Sequence, residues 1–186
     1  MSKKKYSKRV SKAEWLTAAL EMLETGGIQS VRVEPLAKRV GISKSGFYWH
    51  FANRQDLLKQ LLDYWSHEYT ELVTRNPKLW RGDPKTRLAI TMKMIQEHHL
   101  AKYDLVIWAW AKSDPMAAAA VKKVTKKRLD FVRAVYSDMG LEGDELEMRT
   151  MLFVSYHTWE STMFHNMSPR KLTRLRKLRL ALLTAK

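Results

Sequence analysis

Two adjacent stretches decide the fold: LAKRVGIS at residues 36–43 and KSGFYWHFANRQDLL at residues 44–58. Apolar residues recur at helical spacing on both sides of the turn at residues 40–43, which has the length of a helix-turn-helix connection. Pro35 suits a helix only in its first turn, and Gly41 ends the helix that starts near residue 33. The pattern predicts two short helices with a shared small core of Val33, Leu36, Ala37, Val40, Ile42, Phe47, Phe51 and Leu57.

The outer side of the second short helix is polar, basic and aromatic. Short polar or basic residues at the start of such a helix reach base edges in the major groove. Tyr48, His50 and Arg54 suit phosphate oxygens because each donates a hydrogen bond, and Gly46 leaves room for close backbone approach. Helical hairpins with a glycine turn also occur as plain structure, so the turn alone leaves both interpretations open. The candidate DNA-contacting residues are Arg32, Ser43, Lys44, Ser45, Gly46, Tyr48, Trp49, His50 and Arg54.

The rest of the chain also favours helices, because only 7 Gly and 5 Pro interrupt its 186 residues. Asn53 and Asp56 resemble a capping pair at the start of a long helix to about residue 75. A helix at about 12–25 precedes the turn region, and residues 76–83 form a connection. Further helices are predicted at about 84–100, 102–112, 115–139, 144–166 and 169–185. The expected fold is all-α with about nine helices.

The net charge is +15, with 34 Lys and Arg against 19 Asp and Glu. Residues 1–12 hold six cations and no acid, residues 13–75 seven cations and eight acids, and residues 76–186 21 cations and 11 acids. This excess predicts an anionic partner, with nucleic acid first and an anionic membrane surface or small anion next. The basic arm at 1–12 is either a solvated tail or a minor-groove contact.

Several classes of protein are excluded. The chain has no Cys, so it has no disulfide framework, zinc–thiolate site or cysteine nucleophile. No apolar stretch reaches the length of a membrane span, and no signal segment follows the basic N-terminus. We therefore expect a cytoplasmic protein with no membrane partner.

Residues 12–75 resemble the N-terminal domain of TetR-type transcriptional regulators. The resemblance rests on Ala18-Ala19, Gly26-Gly27-Ile28, and residues 36–43 and 44–58. It implies a basic arm at 1–12, a helix-turn-helix DNA-binding domain with connecting helix at 13–75, and a ligand-binding and dimerisation domain at 76–186. It also implies base contacts from Lys44, Ser45 and Gly46, backbone contacts from Tyr48 and His50, and a phosphate contact from Arg54. Arg32 stands where the family often has a Ser or Thr helix cap.

The C-terminal half carries two helices suited to dimerisation. The helix at 144–166 has apolar residues on more than one face, so that one side can pack in its own core and another on a partner. The last helix has a stripe of leucines, and the two helices of both copies make a plausible four-helix interface. The many cations of the last helix either form a solvated face or contact acids of the other copy at Glu142, Asp144, Glu145 and Glu147.

A ligand pocket is expected between the helices of residues 84–164, lined by Met92, Ile95, His99, Tyr103, Ile107, Trp108, Trp110, Met151, Tyr156 and Trp159. Methionine and tryptophan make adaptable apolar linings, which favours a hydrophobic or aromatic effector. The alternative is that these are ordinary core residues. No cofactor is expected. No metal is expected either, because His98 and His99 lie on different faces and no carboxylate is arranged between His157 and His165.

The sequence therefore predicts a homodimeric, sequence-specific DNA-binding regulator without enzymatic activity. It is expected to act as a repressor that a small hydrophobic effector releases from a palindromic operator. Two alternatives remain: a basic helical protein that binds nucleic acid with little sequence preference, and a protein that binds anionic membranes.

Overall fold

A computed structural model describes residues 10–164 and 166–185, without the side chain of Ser161. The predicted arm up to residue 9 and His165 lie outside the described residues. Nine helices occupy the described part of the chain, which confirms the all-α prediction. They are α1 (Lys12–Gly26), α2 (Val33–Val40), α3 (Lys44–Tyr48), α4 (Arg54–Ser66, a π-helical turn at His67–Glu71, and Leu72–Thr74), α5 (Pro84–Glu97), α6 (Asp104–Ala111), α7 (Pro115–Asp138), α8 (Gly143–Met163) and α9 (Pro169–Leu183).

Side-chain caps set most of the helix starts. Asn53 Oδ1 accepts from the backbone N–H of Asp56 at 2.9 Å, and Asp83 Oδ2 accepts from the N–H of Thr86 at 2.8 Å. Asp114 and Ser168 cap α7 and α9 in the same way. Each side chain satisfies a donor that the first turn of a helix leaves unpaired. These starts are therefore encoded locally, as the sequence predicts.

Three helices end three residues earlier than predicted. Helix α3 ends at Tyr48 rather than Phe51. Helix α5 ends at Glu97 rather than near residue 100, and His99 then turns the chain with a φ of 49°. Helix α8 ends at Met163. The turn at 98–103 replaces the last part of α5. It forms one wall of an open cleft, through His99, Ala101 and Lys102.

The turn between α2 and α3 depends on two glycines. Gly41 adopts the left-handed conformation, with a φ of 79°, and ends α2. Gly46 is needed for a different reason, because a Cβ at this position would overlap the Cγ2 methyl of Ile42. The space beside Gly46 is thus filled by the turn itself, which corrects the expectation that this glycine leaves room for a DNA backbone.

Two apolar clusters form the core. The first combines α1–α4 with Tyr103, Ile107 and Trp110, and it also reaches α7 at Ala117 and Val124. The second joins α5, α7, α8 and α9 to the end of α4. Since α6 and α7 pack on α1 and α4, the N-terminal helices share a core with residues well beyond 75. The division of the chain into a domain at residues 13–75 and another at residues 76–186 stays a prediction.

A buried ion pair lies where the two clusters meet. Asp104 is fully buried, and Arg128 donates to its carboxylate from Nη1 at 2.5 Å and from Nη2 at 3.1 Å. Trp65 Nε1 donates to the same carboxylate at 3.1 Å. Arg128 also donates to Thr70 Oγ1 at 3.0 Å and to the Tyr69 carbonyl at 3.2 Å, within the π-helical turn of α4. The pair therefore fastens α4, α6 and α7 to one another.

We expect Asp104→Asn to destabilise the protein by about 3–5 kcal/mol, because it leaves the Arg128 charge buried without its counterion. Urea unfolding followed by circular dichroism measures the change. Glu97→Gln, which removes the acid of an exposed pair with Lys93, serves as the control and should change stability little. Equal losses in the two variants would contradict the anchoring role of Asp104.

We expect Gly46→Ala to destabilise the protein by about 1–3 kcal/mol, because the new methyl group must displace Ile42 from the turn. Thermal unfolding checks this. Ser45→Ala changes the neighbouring exposed residue without entering the turn and should leave the melting temperature almost unchanged. A Gly46→Ala protein as stable as Ser45→Ala would show that the turn tolerates a side chain.

Candidate nucleic-acid interface

Helix α3 is held in place by aromatic packing on its inner side. The Phe47 ring meets Trp15 of α1 edge-on at a centroid distance of 5.8 Å and lies 5.1 Å from Phe51. Phe47, Phe51 and Trp15 are each at most 1% exposed. Because this inner side is fixed, the opposite side of α3 is presented to solvent in one orientation.

The solvent side of α3 carries the predicted contact residues. Lys44 and Tyr48 are four residues apart and share a helix face, with Ser45 beside them. Tyr48 is 59% exposed and Trp49 is 86% exposed, the latter just past the end of the helix. Arg32, Ser43, Lys44 and Ser45 are exposed as well. Lysine, serine and tyrosine side chains in this arrangement can donate to base edges and phosphates.

Ser43 occupies the N-cap position of α3, where serine is a favoured capping residue, but it makes no capping bond. Its hydroxyl instead lies 2.7 Å from the Ser45 hydroxyl. Arg32 likewise stands at the N-cap of α2 without a side-chain cap bond. Neither side chain is therefore engaged in capping at the start of its helix.

The sequence interpretation missed an acidic residue on this surface. Lys44 Nζ forms an ion pair with Glu34 of α2, and the hydrogen bond from Lys44 holds the pKa of Glu34 below its ordinary value. Both side chains are more than half exposed. Such a pair is weak in water, so an approaching phosphate can compete for Lys44, while Glu34 repels the same phosphate.

His50 and Arg54 have partners within the protein. His50 Nε2 lies 3.0 Å from the carbonyl oxygen of Val10, which is buried at the end of the basic arm. Arg54 donates from Nε to the Val31 carbonyl at 2.7 Å and from Nη2 to the Ile28 carbonyl at 2.9 Å. Arg54 thus holds the loop between α1 and α2. The phosphate-binding role that the sequence suggests for it uses at most its remaining N–H groups.

Of the ten predicted pocket residues, only Ile95 and His99 line either of two neighbouring spaces of the C-terminal half, an internal cavity and an open cleft. Met92, Tyr103, Ile107 and Trp110 are buried in the core, as the alternative interpretation has it. Trp108 is half-buried, and Tyr156 packs against Phe164 and the Arg179 guanidinium. Met151 and Trp159 lie on the exposed face of α8 and line neither space. The sequence placed them in a pocket because the helical spacing of apolar residues does not distinguish an inner face from an outer one.

A cavity of about 50 Å³ lies between α4, α5, α7 and α8. Its walls are mostly apolar, but they include the Asp104–Arg128 pair, Thr91 and His157. An open cleft of about 580 Å³ adjoins it and shares Ile95, Ala101 and His157 with it. The sequence did not reveal that His157 lies on this cavity, because most of the residues that line it with His157 are far away in the sequence, on α4, α5 and α7.

The cleft extends to the N-terminal helices. Glu24 at the end of α1 lines it together with Lys102, and their side chains pair at 3.2 Å. Lys102 belongs to the turn at 98–103 and its ammonium also lies 4.8 Å from the Tyr103 ring centroid. One ion pair therefore joins the mouth of the cleft to α1.

Neither a metal centre nor a membrane span emerges from the described residues. Nowhere in residues 10–164 and 166–185 do three His, Cys, Asp or Glu side chains come together as metal ligands. None of the helices seen there is long and apolar enough to cross a bilayer.

Comparison with known proteins agrees with this geometry. Residues 16–61 match the sequence model of a family described as bacterial regulatory proteins, tetR family. The class A tetracycline repressor protein from transposon 1721 of Escherichia coli is 34% identical over 68 residues, which cover 36% of this chain and 32% of that protein. The chain thus matches about a third of the length of this curated relative.

Solved structures extend the similarity in fold to nearly the whole chain. The TetR family transcriptional regulator PfmR from Thermus thermophilus has a TM-score of 0.70 at 17% identity, covering 95% of this chain and 96% of its own. AibR, solved in complex with isovaleryl coenzyme A and operator DNA, has a TM-score of 0.68 at 16% identity and covers 92% and 97%. At such identities the likeness concerns the fold. The N-terminal part of the chain is thus similar in sequence to the tetR family of bacterial regulatory proteins, and nearly the whole chain shares the all-helical fold of the solved structures.

Proposed function

We propose that the protein is a homodimeric transcription regulator of the cytoplasm that binds a palindromic operator and leaves it when a small molecule occupies the C-terminal half. The observation that carries this proposal is the rigidly mounted α3, with Lys44, Ser45, Tyr48 and Trp49 on its solvent side. Its role is binding rather than catalysis, and repression is the mode of regulation we infer.

Few positive charges on the solvent side of α3 would be available to bind DNA. The residues on this surface include Glu34, and the segment 13–75 holds more acids than cations. Attraction to phosphate must therefore come from elsewhere, and the basic arm is the nearest source because His50 contacts Val10 at its end. The contact between His50 and Val10 holds the described end of the arm just past the end of α3, which supports a contact of the arm with DNA beside this helix.

The partner copy would bind at the outer face of α8 and α9. Among the described residues, seven exposed apolar side chains lie on these two helices: Met148, Met151, Leu152, Trp159, Met163, Leu178 and Leu182. An apolar surface of this kind marks an interaction site in a water-exposed protein. A two-fold symmetric pairing covers the same patch on both copies and closes the assembly at two.

Charge favours one direction of pairing. Within the chain α8 and α9 run antiparallel, since Arg149 near the start of α8 donates to the Leu183 carbonyl near the end of α9 at 3.1 Å. Acids lie at the start of α8, and cations crowd the start of α9 at Arg170 and Lys171. Two copies packed with antiparallel α8 helices would bring the acids of one near the cations of the other.

Helix α4 offers the path from ligand to DNA. Its π-helical turn supplies Tyr69 and Thr70 to the cavity wall, and its first residue, Arg54, holds the loop before α2. A ligand that fits better when α4 is displaced would shift the population toward that state and change the spacing of the two recognition helices. AibR, with its acyl coenzyme A and operator DNA, supports a ligand-responsive role for this fold.

We expect selection from random DNA to enrich inverted repeats whose half-sites lie about one helical turn, 10–10.5 base pairs, or a multiple of it apart. Lys44→Ala should lower the preference for the selected site over scrambled DNA. Tyr48→Phe should weaken binding to the selected site and to scrambled DNA equally, because it removes a hydroxyl that donates a hydrogen bond to phosphate. Lys78→Ala, an equal loss of charge outside α3, is the control. Fluorescence anisotropy measures the affinities, and a selection that enriches no sequence would favour the sequence-tolerant alternative.

We expect Leu152→Glu to convert the dimer to a monomer, because two carboxylates would be buried at the two-fold contact. Light scattering after gel filtration gives the mass. Ile90→Glu places the same charge at an exposed apolar position of α5 and should leave the dimer intact. A dimer that survives Leu152→Glu would place the partner on another face.

A further inference from the structure

Two buried polar atoms at the cavity lack any hydrogen-bond partner among the described residues: Nε2 of His157 and Oγ1 of Thr91. His157 is 6% exposed and Thr91 is 1% exposed, and both line the cavity. A buried polar atom without a partner is costly, and proteins rarely keep one unless water or a ligand satisfies it. Their joint position on one cavity marks a place for a polar group.

The chemistry of His157 restricts that group. Its Nδ1 lies 2.6 Å from the Phe153 carbonyl oxygen, which only accepts, so Nδ1 carries a hydrogen. Burial, with the nearby cations Arg179, Arg176 and Arg128, lowers the pKa of His157 to about 3. The imidazole is therefore neutral at physiological pH. Its Nε2 is then a bare acceptor, which attracts a donor hydrogen and repels an anionic oxygen.

Thr91 complements this acceptor. Its hydroxyl can donate, so a ligand hydroxyl that gives its hydrogen to His157 Nε2 can accept one from Thr91 Oγ1. Arg128 and Thr158, two other polar side chains on this wall, already have partners within the protein. Arg128 uses its guanidinium on Asp104, Thr70 and Tyr69, and Thr158 donates to the Val154 carbonyl at 3.2 Å.

The volume of the cavity limits how much of a ligand can be buried in it. A cavity of about 50 Å³ has room for about three to four water-sized groups, and it is well below the roughly 150 Å³ that take benzene. A longer body must therefore continue past Ile95 and Ala101 into the open cleft. The walls of this cleft are mixed: Ile95, Ala101, Phe164, Met167 and Leu172 are apolar, whereas Glu24, Lys102, Glu160 and Arg176 are charged.

We infer that this site binds an uncharged molecule with a single hydroxyl on a slender apolar body, the hydroxyl lying between His157 and Thr91. The inference rests on the proposed function and gives the chemical class of its effector. Carboxylic acids, which would be anions, are excluded at this position. An acyl group with no donor would leave Nε2 unsatisfied.

The unmodified protein provides the first test. Protein labelled with ¹⁵N at histidine is titrated with 1-butanol, 2-butanone and sodium butyrate. We expect butanol to shift the Nε2 resonance of His157 saturably, while butanone and butyrate bind at least tenfold more weakly. Affinity should rise about fourfold per added CH₂ from 1-butanol to 1-hexanol. Equal binding of butanol and butanone, or no shift with any alcohol, would overturn the inference and leave the cavity to water.

Two substitutions then test the hydroxyl position. Thr91→Val and His157→Phe each remove one partner with little change of volume and should weaken butanol binding about tenfold. The matched control is Thr158→Val, which removes a hydroxyl that already has a partner on the same wall. Melting temperatures exclude simple unfolding, and the results with unmodified protein stand without these variants. If the control loses as much affinity as Thr91→Val, the assigned hydroxyl position is wrong.

Operator binding separates this inference from the proposed function. If the selected DNA binds normally and no alcohol binds, the inferred effector class is wrong but the proposed regulatory function stands. If no specific DNA binds, the regulatory function falls, whatever the result of the titration. If hexanol binds at His157 and also weakens the complex with the selected DNA, both are supported.

Discussion

The buried pair of Asp104 and Arg128 is the interaction on which the arrangement of the helices depends. Charges this deep are stable only when each has a complete set of partners, and here the partners come from α4, α6 and α7. The demand for partners fixes how these helices lie against one another. It also gives the π-helical turn a role, because its Tyr69 carbonyl accepts from Arg128.

This arrangement places a polar network directly beside an apolar cavity. The same Arg128 and Asp104 that join the helices also line the space where we locate the ligand. A molecule that enters must therefore pack against the structure that holds α4. The network ties Trp65, Tyr69 and Thr70 of α4 to Asp104 and Arg128, so a ligand at this wall would contact the residues that hold α4 in place.

Local signals in the sequence predicted the helices and the solvent-facing side of α3 well. Asn53, Asp83 and Asp114 cap helices through residues two or three positions away, so their effect is visible in the sequence. The pairing of Arg128 with Asp104, 24 residues earlier, leaves no such trace, and nor does the contact of Arg54 with two carbonyls of another loop. Most of the predicted pocket residues lie in the core or on the surface rather than at the cavity or the cleft, because large apolar side chains mark cores and interfaces as readily as cavities.

The contact between Gly46 and Ile42 limits how this protein can change its DNA target. A recognition helix normally offers every outward position for substitution, but here the middle of the helix is closed because its backbone lies on the turn. In the proposed function, operator preference within α3 would therefore vary through Lys44, Ser45 and Tyr48, at either end of the five-residue helix, and through Trp49 just beyond it. The tight turn therefore narrows the set of DNA sequences that closely related proteins with the same turn can evolve to read.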